Sequence, residues 1–379
     1  MTEPTLRAGA LRLAVLAAAV AAAAPARAAD IQVSGSVYVD YWGINNRTVG
    51  PQQPEGITPD MAITIAKDVH DELSFSVKAC FSCHGVEIEH FHVDYQPKTW
   101  FNVQAGRLAV PFGDYSQRVD ASGHKTASAP LIYDMGRMAY GSRTFFNEGV
   151  LPLPYVDTGL LVYGQTWLGS RLQLWYGAYA ASGLRGSNDL DFIASRSLYY
   201  TDNNNVPAGG GRVTLTYSAD PGSALGDISL GASGTVGRYD QAKHLDYRIW
   251  GADASLRLWK ITLRGEYAKR RTDIDPSQPG YAYAIVDPWF DKSGWYAELE
   301  HPVFRWLSAV YRYDVLERHG VPLPGSAAAL TPSSTIDRFS AGVVITPAAA
   351  LFVKLSYEYW KPSDFPVLQT GHVGFGGAF

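Results

Sequence analysis

The chain has 379 residues, 46% hydrophobic and 13% aromatic, with 32 Lys and Arg against 36 Asp and Glu, a formal charge of −4. So many aromatics with so little net charge exclude a disordered chain, and the slightly acidic balance argues against nucleic acid as a partner. Two cysteines cannot staple a disulfide scaffold, and only the N-terminus approaches the about 20 apolar residues that a membrane helix needs.

Residues 1–28 read as a secretory signal. Arg7 and Arg12 precede an apolar run from Leu13 to Ala24, and Ala26-Arg27-Ala28 fits the small-x-small cleavage rule. The remainder, 29–379, then reaches an oxidising compartment. It holds no apolar helix, so residence in a membrane requires a closed barrel.

From residue 31 onward the chain alternates with period two. Strands are predicted near 31–44, 59–67, 72–82, 86–95, 100–110, 156–167, 171–181, 211–219, 227–237, 247–258, 260–272, 292–301, 306–315, 336–346, 350–360 and 367–379, about sixteen in all. Connections near 68–71, 96–99, 168–170, 220–226, 302–305 and 347–349 are short. Those at 45–58, 111–155, 182–210, 273–291 and 316–335 are long. This alternation of short turns and long loops predicts an all-β, single antiparallel transmembrane β-barrel, with both termini on the short-turn side. A soluble sandwich would share the alternation, but Arg and Glu persist on one face of these strands. A dry core excludes such charges and a wet lumen accepts them.

The third strand ends in Cys80-Phe81-Ser82-Cys83-His84, the attachment pattern of c-type haem, with His84 as an axial ligand of the iron. Three readings stay open: a covalent haem c, a small disulfide at the rim, and a reduced or metal-bound pair. His124, Met135 and Met138 are candidate distal ligands, whereas His70 lies at the opposite barrel end. Next, Glu87-Ile88-Glu89-His90-Phe91-His92-Val93-Asp94 changes parity near Glu89. A bulge there would turn Glu89, His90, His92 and Asp94 into the lumen, where His90 and His92 are weak metal candidates.

By parity, Lys78, Glu87, Glu89, Arg257, Arg264, Glu266, Arg312, Arg338 and Lys354 line the wall of a pore. Arg118, Asp120 and Arg137 line it from the 111–155 loop. Opposed charges of this kind set a transverse field that screens solutes. Asp189, Asp191 and the run Asp202-Asn203-Asn204-Asn205 are oxygen-rich but lack a complete Ca²⁺ pattern, so they read as solvated loop. The chain ends Val373-Gly374-Phe375-Gly376-Gly377-Ala378-Phe379, with a terminal Phe of the type that outer-membrane assembly machinery recognises. No Ser stands in a G-x-S-x-G setting, so an enzyme is not expected.

The stretch Gly106-Arg107-Leu108-Ala109-Val110-Pro111-Phe112-Gly113 resembles the G-R-x-x-x-P-F-G that ends a strand in bacterial outer-membrane porins of the phosphate-selective O/P type. The resemblance implies a porin in outer-membrane lipid, often a homotrimer, that passes small hydrophilic solutes and ions, with the 111–155 loop folded inward as a constriction. No lysine cluster supports carrying over an anion preference. The alternative is an electron-transfer porin, an outer-membrane cytochrome whose haem exchanges electrons with periplasmic or surface cytochromes.

Overall fold

The computed structural model describes residues 31–44, 56–82, 85–133, 139–140, 144–145, 149–187, 190, 192, 195, 202–275, 288–319, 333–363 and 367–379. The signal read at 1–28 lies outside them. No helix among the described residues is long and apolar enough to cross a membrane. Sixteen antiparallel strands close into one barrel instead.

The strands are β1 Gln32–Ile44, β2 Gly56–His70, β3 Leu73–Ser82 and β4 Gly85–Lys98. They continue with β5 Phe101–Ala109, β6 Val156–Leu168, β7 Leu172–Ala181 and β8 Ala208–Tyr217. Then come β9 Leu225–Arg238, β10 Asp246–Leu258, β11 Ile261–Asp273 and β12 Trp289–Phe304. Last are β13 Leu307–His319, β14 Ser333–Ala348, β15 Leu351–Pro362 and β16 Leu368–Ala378. Each pairs with its neighbours in the chain, and β16 returns to β1 from Ser36↔Ala378 to Ile44↔Thr370. Closure removes both free edges, so every ladder group has a partner where no water could supply one. The expected number of strands and the alternation of connections match the structure.

Side-chain parity follows the pleat. On β15, Leu351, Leu355, Tyr357 and Tyr359 point outward, while Phe352, Lys354, Glu358 and Trp360 are buried inside. The exposed aromatics collect at the two ends of the wall. Trp100, Phe101, Trp259, Phe304 and Trp306 ring the short-turn end, with Phe304 and Trp306 stacked at 5.6 Å. Trp250, Trp295 and Tyr313 lie outward on the upper wall, with Trp295 and Tyr313 at 5.6 Å. Such girdles sit where hydrocarbon meets headgroups, because the rings are apolar and their N–H and O–H are not.

Where the first and last strands meet, Gly35 N donates to Phe379 O and Phe379 N donates back to Gly35 O, both at 2.9 Å. A Cβ at Gly35 would fall 2.3 Å from the Ala62 carbonyl oxygen and 2.8 Å from the Phe379 ring. On the inner face of the same seam, His372 Nδ1 meets Asp40 Oδ2 at 2.9 Å. Gly35→Val should therefore obstruct closure. We expect a loss of about tenfold or more in the heat-resistant folded form on unboiled gels. An unaltered folded fraction would show that the seam tolerates the branch.

Two local departures from regular pairing matter for the lumen. Lys78 pairs with His90 but Ala79 pairs with Ile88, so Glu89 is an extra residue on β4. It leaves Val86, Ile88 and Phe91 on the lipid side, and Glu89 and Asp94 buried within. The other departure is the connection after β5, which enters the barrel rather than leaving it.

Candidate functional site: the lumen and the strap across it

After Ala109 the chain turns inward at Pro111-Phe112-Gly113, where Gly113 has φ +70°. A single 3₁₀ turn, Tyr115–Arg118, follows. Tyr115, Leu131, Ile132 and Tyr133 are fully buried there, packed with Tyr247, Ile249 and Tyr296 of the wall. Residues 110–133 thus form a strap inside the barrel. A short ladder between Ala139–Tyr140 and Thr144–Phe145 belongs to the same connection.

The wall holds the strap by its backbone oxygens. Arg312 on β13 donates to Thr126 Oγ1 at 2.7 Å, Ser128 O at 2.9 Å and Ala129 O at 3.1 Å. Arg338 on β14 donates to Ala129 O at 2.6 Å and to Asp314 Oδ2 at 3.1 Å. Lys354 on β15 donates to Ala121 O at 2.6 Å and Thr126 O at 3.2 Å. Acceptors on the wall complete the set. Leu131 N donates to Asp314 Oδ1 at 3.1 Å, Tyr133 OH to Glu266 Oε1 at 2.6 Å, and Ser128 Oγ to Glu358. Each bond to a charged group contributes about 1.5–3 kcal/mol net, against about 1–2 kcal/mol of backbone entropy per ordered residue. The concentration of such bonds on residues 126–129 is what makes an ordered strap favourable.

This geometry corrects the pore-lining reading for several residues. Glu266, Arg312, Arg338 and Lys354 face inward as their parity requires, but they are only 4%, 1%, 0% and 1% exposed. They lie beneath the strap rather than against open water, because its carbonyls meet their donors. Lys78 and Glu89 are similarly covered. Lys78 Nζ bridges Glu89 Oε2 at 2.7 Å and the strap's Asp120 Oδ1 at 2.6 Å. The opposed rings of charge are thus largely consumed in pairs.

More open to the lumen are Glu87 and Arg264 on the wall, with Asp114, Arg118 and Asp120 on the strap. Arg118 is tied back to Asp114 at 2.9 Å. Arg257, at the mouth of β10, is exposed and 3.9 Å from Asp227. Arg137 lies outside the described residues. Two inward groups were not singled out from the sequence. Arg270 is fully buried on β11, and Arg212 on β8 pairs with Asp253 at 2.5 Å. Their inward parity was the available signal.

Of the haem pattern, Cys83 and His84 lie outside the described residues, as do Met135 and Met138. Cys80 faces the lumen as a free thiol and donates to Glu89 Oε2 at 2.8 Å. No disulfide is formed at Cys80. Its surroundings are Lys78, Glu89 and Asp120, charged groups bonded to one another, and not the apolar cradle that a porphyrin requires. His124 is buried against Tyr115 at 5.4 Å, with Nδ1 2.8 Å from Thr126 O. Burial and the nearby Lys354 hold its imidazole neutral, well below the ordinary range. That ring is part of the strap, packed against Tyr115.

His90 and His92 share the lumen face below the bulge with their rings 5.1 Å apart, and His90 Nε2 lies 3.3 Å from Ser76 Oγ. Among the described residues no group of three or more His, Cys, Asp or Glu is placed to hold a metal ion. Asn203 is a staple rather than a Ca²⁺ ligand, its amide donating to Gly186 O at 2.9 Å and Tyr239 O at 2.6 Å. Asp189 and Asp191 lie outside the described residues.

No protein-family model and no curated protein matches the chain. Solved structures do. The anion-selective porin of Comamonas acidovorans aligns with a TM-score of 0.58 at 15% identity, covering 93% of this chain and 100% of that one. The OmpF of Salmonella typhi, solved as a complex with daunomycin, aligns with a TM-score of 0.57 at 9% identity over 93% and 98%. OmpT, an outer membrane protein of Vibrio cholerae, aligns with a TM-score of 0.56 at 8% identity over 93% and 98%. At such identities the likeness is one of fold. The lipid-facing wall, the aromatic girdles and that fold together place the protein in a bacterial outer membrane, as a closed sixteen-stranded barrel with the fold of the solved structures it aligns with.

Proposed function

We propose that the protein is a passive channel for small hydrophilic solutes and ions, without a catalytic step, whose aperture is set by the strap. The observation that carries this is the anchoring of residues 121–133 by Arg312, Arg338 and Lys354 inside a closed barrel. A hydrophobic plug would only fill the lumen. A strap pinned by its carbonyls to one side of the wall narrows the lumen at fixed height and leaves the facing wall polar. In planar lipid bilayers the purified protein should insert in discrete conductance steps in KCl. A folded, heat-resistant barrel that gives no steps would remove the channel reading.

Export by cleavage after Ala28, on the pattern of residues 1–28, and assembly as a homotrimer, on the resemblance at residues 106–113, belong to the same proposal. The electron-transfer alternative has no support among the described residues. A peroxidase-active band on denaturing gels, lost in Cys83→Ala, would reinstate it.

A further inference from the structure

Below the strap, toward the short-turn end, the inner faces of β4–β7 have a different character from the charged wall opposite. Asp94 is the carboxylate at the centre of this strip. It accepts from Tyr163 OH at 2.8 Å, Gln96 Nε2 at 2.7 Å and Gln104 Nε2 at 3.1 Å. Three donors from three strands therefore hold one acceptor in a fixed direction. Beside it, the Trp175 ring stands 6.4 Å from Tyr163. Trp175 lies along the wall, because a Cβ on Gly177 would come within 2.8 Å of its Cη2 atom. Glycine at 177 is what lets the indole lie flat. Gln165 pairs in register with Trp175, and its Oε1 accepts from Gln173 Nε2 at 3.2 Å.

We propose that this strip binds neutral, polyhydroxylated solutes, the sugar class, on their way through the channel. A sugar presents C–H faces and a rim of hydroxyls that both donate and accept. The indole and phenol supply the face. The exposed amides of Gln96 and Gln165 supply donor and acceptor in one group, and Asp94, buried beneath its three donors, fixes the direction in which Tyr163 and the glutamines are presented. An anion would meet Asp94 without a compensating cation on the strip, and an apolar solute would leave the amides unpaired. The strip deepens the channel proposal and rests on it.

Maltotriose added to bilayers at millimolar concentration should reduce the KCl current. Polyethylene glycol of matched hydrodynamic size should not do so at that concentration. Trp175→Ala should raise the half-blocking concentration about tenfold while the KCl conductance stays within about twofold. Trp175→Phe, which keeps a ring there, should restore most of the block. Equal block by the two probes, block by arginine in place of the sugar, or an unaltered block in Trp175→Ala would overturn the sugar assignment while leaving the channel intact. If no KCl current exists the channel reading itself fails. Titrating the intrinsic tryptophan fluorescence of the detergent-solubilised protein with maltotriose then decides the strip, and no saturable, Trp175-dependent change would overturn it.

Discussion

Arg338→Ala is expected to unfold the barrel at a markedly lower denaturant concentration and to give larger, noisier current steps. Arg338 is fully buried and lies 4.5 Å over the Trp360 ring. It donates to Asp314, Ala129 and Ser128 at 3.1, 2.6 and 3.2 Å. Removing it leaves Asp314 and Glu358 with less positive charge to balance them in a buried site, a loss of about 3–5 kcal/mol. The Ala129 carbonyl also loses a charged donor, so the strap loosens where its bonds are most concentrated. Arg338→Lys should recover only part of the loss, because a single ammonium cannot reproduce the planar fork. The midpoint of the gel-shift transition in urea and the single-channel conductance read the two effects. If both stay at the parent values, the anchoring account is wrong.

The second large effect is expected at Gly113. Its φ of +70° costs an L side chain about 1–2 kcal/mol. A Cβ there would also overlap Glu266 Oε1 and lie 2.5 Å from Tyr133 OH. Displacing Glu266 would strand the Tyr133 hydroxyl and the Tyr115 backbone N–H, which it accepts at 2.6 and 3.2 Å. Each buried donor left unpaired costs about 1–3 kcal/mol. Gly113→Ala should thus destabilise the entry to the strap by about 3 kcal/mol or more and broaden the distribution of conductances. Gly169 is the control. Its φ is +81°, but a Cβ there meets nothing within 4 Å. Gly169→Ala should cost only the backbone penalty of about 1–2 kcal/mol and leave conductance unchanged. Equal effects from the two alanines would mean that contact with Glu266 is irrelevant.

The P-F-G turn also shows what kind of information resides in local sequence. Pro111 and Gly113 mark the place where the chain must leave the ladder, and the 111–155 connection was recognisable from its length and its flanking strands. The parity change at Glu89 was equally local, and the register shift between Lys78 and Ala79 is its structural form. Neither signal says where the strap lies once inside. Arg312 and Ser128 are separated by 184 residues and Ser128 and Glu358 by 230. An inward arginine facing water and one facing a carbonyl of the strap have the same neighbours along their strand. Parity therefore distinguished inside from outside correctly for Arg312, Arg338 and Lys354, and could not tell covered from open.

The amino-acid sequence by itself determined the architecture: apolar and polar residues alternate in sixteen segments, and only a closed sheet can put one parity in lipid and satisfy every backbone group. Tertiary structure alone decided which inner side chains are spent. The strap brings its carbonyls to Arg312, Arg338 and Lys354 and brings Asp120 to Lys78. Charge pairing falls off within about a Debye length of 8–10 Å, so a group's partner is fixed by distance across the lumen and not by position in the chain. Pairing of consecutive strands in turn brings Asp94, Tyr163 and Trp175 from three strands onto one stretch of wall.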